Sequence, residues 1–130
     1  MKRIFLSIFF SIIFSLTTLS CFAEQNFNVV LPLKGQTQAD KLLQKDVLNI
    51  LIPWVKVTNP TCQKFNFNYT KLIHPVKEGK VVDGKLVQGY WRESWSVDAC
   101  GKEINYPILF TCDGAGGTYF NIELKKKKQY

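Results

Sequence analysis

Residues 91–98 read Trp91-Arg92-Glu93-Ser94-Trp95-Ser96-Val97-Asp98. Bulky side chains at 91, 95 and 97, with a carboxylate at 93, alternate with small or polar ones, and a period of two is that of a half-buried strand. Working outward, the same period recurs. Ile104, Tyr106, Ile108 and Phe110 form the next strand, and Thr118, Phe120, Ile122 and Leu124 the last. Upstream, Phe65, Phe67 and Tyr69 alternate with Asn66, Asn68 and Thr70. Between that run and the tryptophans, residues 81–87 read as a short hairpin around Asp83-Gly84, a pair that tolerates positive φ. Four strands in this order predict an antiparallel meander.

Ahead of the strands the period changes. Leu42, Leu43, Val47, Leu48, Ile50 and Leu51 recur every three or four residues, with Asp40, Lys41, Gln44, Lys45 and Asp46 between them. This predicts an amphipathic helix opening near Thr37 as N-cap and leaving at Pro53, because proline disfavours a helical residue before it. Its polar face carries mixed charge, which favours a helix covering a sheet over one lying on a membrane. Residues 24–35 read as an extended lead-in, with Phe27, Val29, Val30 and Leu31 as strand material. The expected fold class is therefore α+β, an N-terminal amphipathic helix packed on a four-stranded antiparallel meander.

Face parity constrains the register, since a one-residue slip would invert a strand. One register pairs Val97 with Tyr106, Trp95 with Ile108 and Cys100 with Glu103, leaving Gly101-Lys102 as a type II′ turn. Cys112 then lies opposite Trp91, too far along the hairpin to reach Cys100. A second pairing sets Phe65 against Val97 and Phe67 against Trp95, so that Cys62 faces Cys100. An oxidising compartment would then give one disulfide, Cys62–Cys100. Cys112 falls on the core face as an inert thiol, with an intermolecular or reactive thiol as the other reading. Pro107 cannot donate to a ladder, so an edge or bulge is expected there.

The compartment is read from the N-terminus. Met1-Lys2-Arg3 precedes an uncharged stretch at 4–19, and Cys21-Phe22-Ala23 sets small residues before Glu24. These features predict a signal peptide over 1–23, cleaved after Ala23, and a periplasmic or secreted bacterial protein. Thr18-Leu19-Ser20-Cys21 loosely matches a lipobox, which would make Cys21 a lipidated first residue. The 130 residues carry a net charge of +7. Four of those charges are Lys125, Lys126, Lys127 and Lys128, in a basic tail over 125–130. A single domain over 24–124 is therefore close to neutral. Basicity confined to a tail, behind an export signal, argues against nucleic-acid binding. The mature chain has no stretch that reads as a transmembrane segment.

Cys62, then Gly89-x-Trp91-x-Glu93-x-Trp95-x-Val97-x-x-Cys100-Gly101, then Gly116-Gly117-Thr118-x-Phe120 resembles a family of short, uncharacterised exported bacterial proteins. The resemblance covers roughly residues 50 to 122. It favours the Cys62–Cys100 pairing and implies no catalytic or binding residue. Cys112 lies outside the pattern.

The chemistry-bearing residues are few. Glu93 shares a face with Trp91 and Trp95, and a carboxylate among indoles has the setting a general acid needs. Pairing with Lys71 or Arg92, or a solvent-facing position, is the competing reading. No second carboxylate at a catalytic spacing accompanies it. His74 is the only histidine and lies on the parity opposite to Cys112, and His74-Pro75 reads as a strand end. No metal-ligand spacing is present, and no cofactor motif. The 113–117 stretch Asp-Gly-Ala-Gly-Gly is explained by a hairpin loop. Tyr90, Arg92, Ser94 and Ser96 form the outward face of the tryptophan strand, a candidate contact surface since aromatics and arginine dominate binding hot spots. The lysine tail reads as a contact for anionic lipid, lipopolysaccharide or an acidic partner, or as a solubilising end.

These readings predict a non-enzymatic interaction or accessory protein of the envelope or secretome. Its partner would be an unknown protein or an anionic envelope component. The alternatives are a small hydrolase or thiol enzyme using Glu93 or Cys112, and an envelope lipoprotein lipidated at Cys21.

Overall fold

A computed structural model describes residues 24–124. The expectations for the signal segment, for Cys21 and for Lys125, Lys126, Lys127 and Lys128 lie outside the described residues. The elements are β1 (Asn26–Asn28), α1 (Lys41–Thr58), β2 (Lys64–Val82), β3 (Lys85–Ala99), β4 (Lys102–Cys112) and β5 (Thr118–Ile122), and the strands lie in that order in one sheet.

One helix and one disulfide match the α+β expectation, but the sheet has five strands and is mixed. The lead-in contributes β1, whose Phe27 pairs with Phe65 in parallel. Parallel neighbours require a crossover, and α1 supplies it. The described residues therefore form a β-α-β unit followed by the meander. Of the strand material expected in the lead-in, Phe27 lies in β1, whereas Val29, Val30 and Leu31 fall beyond its end; a three-residue strand leaves almost no periodic trace to count it by.

Helix α1 starts later and ends later than its sequence suggests. Asp40, not Thr37, is the N-cap, its carboxylate accepting from the Leu43 N–H at 2.8 Å. Pro53 lies inside the helix, at an exposed position, and the helix runs on to Thr58 with Asn59 as its C-cap. Leu51 and Val55, on either side of Pro53, are both fully buried. Burying such side chains contributes about 1.5–3 kcal/mol each, comparable to the roughly 3 kcal/mol penalty of an interior proline.

The inner stripe Val47, Leu48, Leu51 and Val55 packs on Phe65, Trp91, Trp95, Val97, Ile108 and Phe110. Trp91 stacks on Phe110 with ring centroids 4.8 Å apart, and Phe67 meets Trp95 edge-on at 5.8 Å. Among the described residues, no helix covers the other face of the sheet.

Both expected registers have the right parity and are two residues out. Val97 faces Ile104 and Trp95 faces Tyr106, while Phe65 faces Ala99 and Phe67 faces Val97. The β3–β4 turn is Cys100-Gly101, both at positive φ (52° and 85°), in place of Gly101-Lys102. A cysteine in that conformation is uncommon; here its side chain is fixed by the disulfide. The Cys62–Cys100 bridge forms with Cα atoms 5.8 Å apart, joining the approach to β2 to the β3–β4 turn. The sequence-derived pair is correct although the register behind it is not.

The hairpin at Asp83-Gly84 is present, but its arms are simply the ends of the long strands β2 and β3. Irregularities bend β2 along its length, so His74-Pro75 lies within the strand at a register shift and does not end it. The first shift, between Phe67 and Tyr69, inverts parity: Tyr69 turns outward opposite Ser96, and Thr70 turns inward opposite Trp95. Pro107 needs no bulge. Its carbonyl accepts from the Glu123 N–H at 2.8 Å, just past the end of β5, so the missing donor falls at the sheet edge.

Candidate functional site

Glu93 is completely buried and belongs to neither expected pair, since Arg92 binds Glu123 at 2.7 Å on the opposite face. The Trp91 and Trp95 indole N–H groups donate to its two oxygens at 2.9 and 2.7 Å. The Gln38 backbone N–H and the Thr37 hydroxyl donate to Oε1 at 2.7 and 3.1 Å. Thr37 in turn accepts from the Ala39 N–H. The indoles sit one strand position to either side of Glu93 on the same face, so alternation alone aims them at it. The other two donors come from the segment 31–39, which crosses the sheet to reach α1.

That segment is tied at several further points. Thr70 and the strap exchange backbone hydrogen bonds, from Gln36 N–H to the Thr70 carbonyl and from Thr70 N–H to the Lys34 carbonyl. Gly35, at φ 117°, crosses so close to β2 that a Cβ there would overlap the Thr70 carbonyl. The buried Gln44 amide joins the strap to α1, accepting from Leu33 N–H and donating to the Ala39 carbonyl. Glu93 thus acts as an anchor. With both oxygens engaged by four donors of the protein itself and no exposed surface, it does not meet a substrate arriving from solvent. The signal missed from sequence is that Thr37 and Gln38, far away in the chain, supply half the shell.

The open face has different chemistry. Glu103 Oε1 accepts from the Ser96 hydroxyl at 2.8 Å and the Tyr69 hydroxyl at 2.9 Å, and Asn68 donates to Ser96 at 3.2 Å. The Ser96 and Tyr69 hydrogen bonds hold the Glu103 carboxyl below its ordinary pKa. The hydrogen bond to Glu103, then its charge, raises that of Tyr69.

Of the candidate contact residues, Tyr90 is exposed and Arg92 and Ser94 are half-buried. Ser96 departs from expectation: it is fully buried and engaged with Glu103 and Asn68, so it lies under the contact surface and not on it. In its place, register adds Tyr119 and Lys77. Lys77, Tyr90, Thr111 and Tyr119 form one row across four strands, all exposed, with His74 and Arg92 paired in an adjacent row.

Cys112 is a free thiol, half-buried beside the core and not fully within it. His74 is exposed on the open face. Among the described residues no group of three or more histidines, cysteines and carboxylates could hold a metal, and no helix is long and apolar enough to cross a membrane. Comparisons of the chain with protein-family models, with curated proteins and with solved structures find no match.

Proposed function

We propose that the protein is an exported, non-enzymatic interaction protein of a bacterial envelope or secretome, and that it meets a protein partner through the open sheet face around Tyr90, Arg92 and Tyr119. The exposed row of Lys77, Tyr90, Thr111 and Tyr119 carries this reading. Tyrosines and arginine on a rigid sheet offer large contact area at low conformational entropy loss. The Cys62–Cys100 bridge is consistent with an oxidising compartment. The resemblance in the tryptophan strand to short exported bacterial proteins points the same way.

A photo-crosslinking side chain at Tyr90 or Tyr119, in protein expressed in its native host, tests the face. The expected result is a discrete adduct from both positions and none from Asn49, an exposed site on α1. Equal labelling from all three, or none, would refute the assignment. Recovery of the protein in the cytoplasm with residues 1–23 intact would refute export.

A further inference from the structure

On the open face of the sheet, charge is sorted along the strands. At one end Asn66, Asp98 and Glu103 lie in one row across β2, β3 and β4. At the other end lie Arg92, Lys71 opposite Ser94 and Lys77 opposite Tyr90. Asp98 and Glu103 are direct cross-strand partners, and like charges so placed repel. Among the described residues the only ion pair joins Arg92 to Glu123, so neither carboxylate has a cation and neither lysine an anion. Along β3, Asp98 lies about 20 Å from Arg92. Charges are screened beyond about 8 Å in physiological salt, so the two ends do not relieve each other within one molecule.

Such a pattern is self-complementary. Ser94 and Pro107 pair near the middle of the face. A two-fold axis lying across the strands at that point turns a second copy over and reverses its strands. Each acidic end then rests on the other copy's basic end. We infer that two copies of this chain associate face to face through the open sheet, Asp98 and Glu103 of each meeting the Lys77 and Arg92 end of the other. The middle allows close approach, since Ser94 and Pro107 are half-buried and Ser96 is buried. Tyr69 and Tyr90, 45% and 37% exposed, flank it and supply contact area. Four strands about 4.8 Å apart, followed for about 30 Å, give a footprint near 600 Å² per copy, the lower bound of a specific interface. A reversible dimer is therefore expected. An acidic partner of another kind would engage the basic end alone and leave Asp98 and Glu103 repelling each other.

The inference rests on the open face being a protein-binding surface, and it names the partner. Sedimentation equilibrium of the purified protein reads self-association. Lys71→Glu with Lys77→Glu makes both ends acidic. Asp98→Lys with Asn105→Lys, an exposed position beside Glu103's row, makes both ends basic while leaving Glu103 to hold Ser96 and Tyr69. The parent should dimerise, and each variant alone should self-associate at least about tenfold more weakly. An equimolar mixture of the two variants should regain the parent's association, a rescue that only folded variants can give. A parent still monomeric at about 1 mM would overturn the proposal. So would a dimer that neither variant weakens, or a weakening that mixing does not reverse. A monomeric parent whose Tyr90 and Tyr119 positions crosslink to a different protein in the host would overturn self-association and leave the open-face reading standing. A monomer with no adduct from either position would refute both.

Discussion

Glu93 and Glu103 project from neighbouring strands to opposite faces of one sheet, and the same functional group has two different roles. Glu93 lies under α1, enclosed by two indoles and the strap, with every oxygen engaged. Glu103 lies on the uncovered face, exposed, and shares one oxygen between a serine and a tyrosine. A buried carboxylate is stable only when its acceptors are filled from within, and once filled it has nothing left to offer a ligand. An exposed one is held loosely and stays available. The contrast assigns stability to the covered face and leaves the open one free for the recognition role proposed above.

The largest expected break in that contrast is Glu93→Ala. It leaves two indole N–H groups and the Gln38 N–H without an acceptor, each worth about 1–3 kcal/mol. A loss of about 4 kcal/mol or more is expected in chemical denaturation, against typical domain stabilities of about 5–15 kcal/mol. A variant as stable as the parent would show that the strap does not depend on the carboxylate. Next comes the covalent tie. Cys62→Ser with Cys100→Ser releases a link of sequence separation 38, and chain entropy gives a loss of about 3–4 kcal/mol. The two losses should be close to additive if the bridge and the Glu93 anchor hold separate ends of the covered face, and a double-mutant cycle decides this.

Thr37→Val removes one donor to Glu93 and the acceptor of the Ala39 N–H. It should lower stability by about 1–2 kcal/mol while faster hydrogen exchange appears at Gln38 and Ala39. Glu103→Gln sits at the bottom of the scale. The unfolding midpoint should fall only slightly at neutral pH, because the group is exposed, but the Tyr69 phenol should titrate at lower pH, toward its ordinary value, once the neighbouring charge is gone. In the parent, Glu103 is held below its ordinary pKa, so its contribution is present above the unfolded value and fades as pH falls through the lowered one. Tyrosine absorbance and carboxyl NMR titrations read both. A Tyr69 titration indifferent to Glu103 would dissolve the contrast from the open side.

Sequence made some of this legible and hid the rest for identifiable reasons. Alternation placed Trp91, Glu93, Trp95 and Val97 on one face because period two is a property of a single strand. Strand pairing is not. Between β3 and β4 the two-residue error came from choosing a turn, since Gly101 can serve as first or second residue and only the disulfide-held Cys100 at positive φ decides. The bulge near Asn68 turned Tyr69 to the face opposite to that of Phe65, and no local pattern announces such an inversion. Burial of Glu93 could be read from its neighbours. The hydrogen bonds from Thr37 and Gln38 could not, because they depend on how the strap crosses the sheet. Pro53 misled by propensity, where packing of Val55 prevails.

At one corner of the molecule the Gln25 side-chain nitrogen lies 3.2, 3.1 and 2.9 Å from the carbonyl oxygens of Lys56, Asn59 and Cys62. A single amide thus gathers the end of α1, its cap and the disulfide. It also sets a tolerance on maturation. If a peptidase cuts after Ala23, this clamp sits two residues from the new amino terminus. A cut displaced downstream by the same distance would remove it, whereas a cut displaced upstream would leave Gln25 in the chain. The protein should accept an extended start far better than a shortened one, which makes the amino-terminal side the permissive place for a tag and imprecise trimming there a route to a weakened fold.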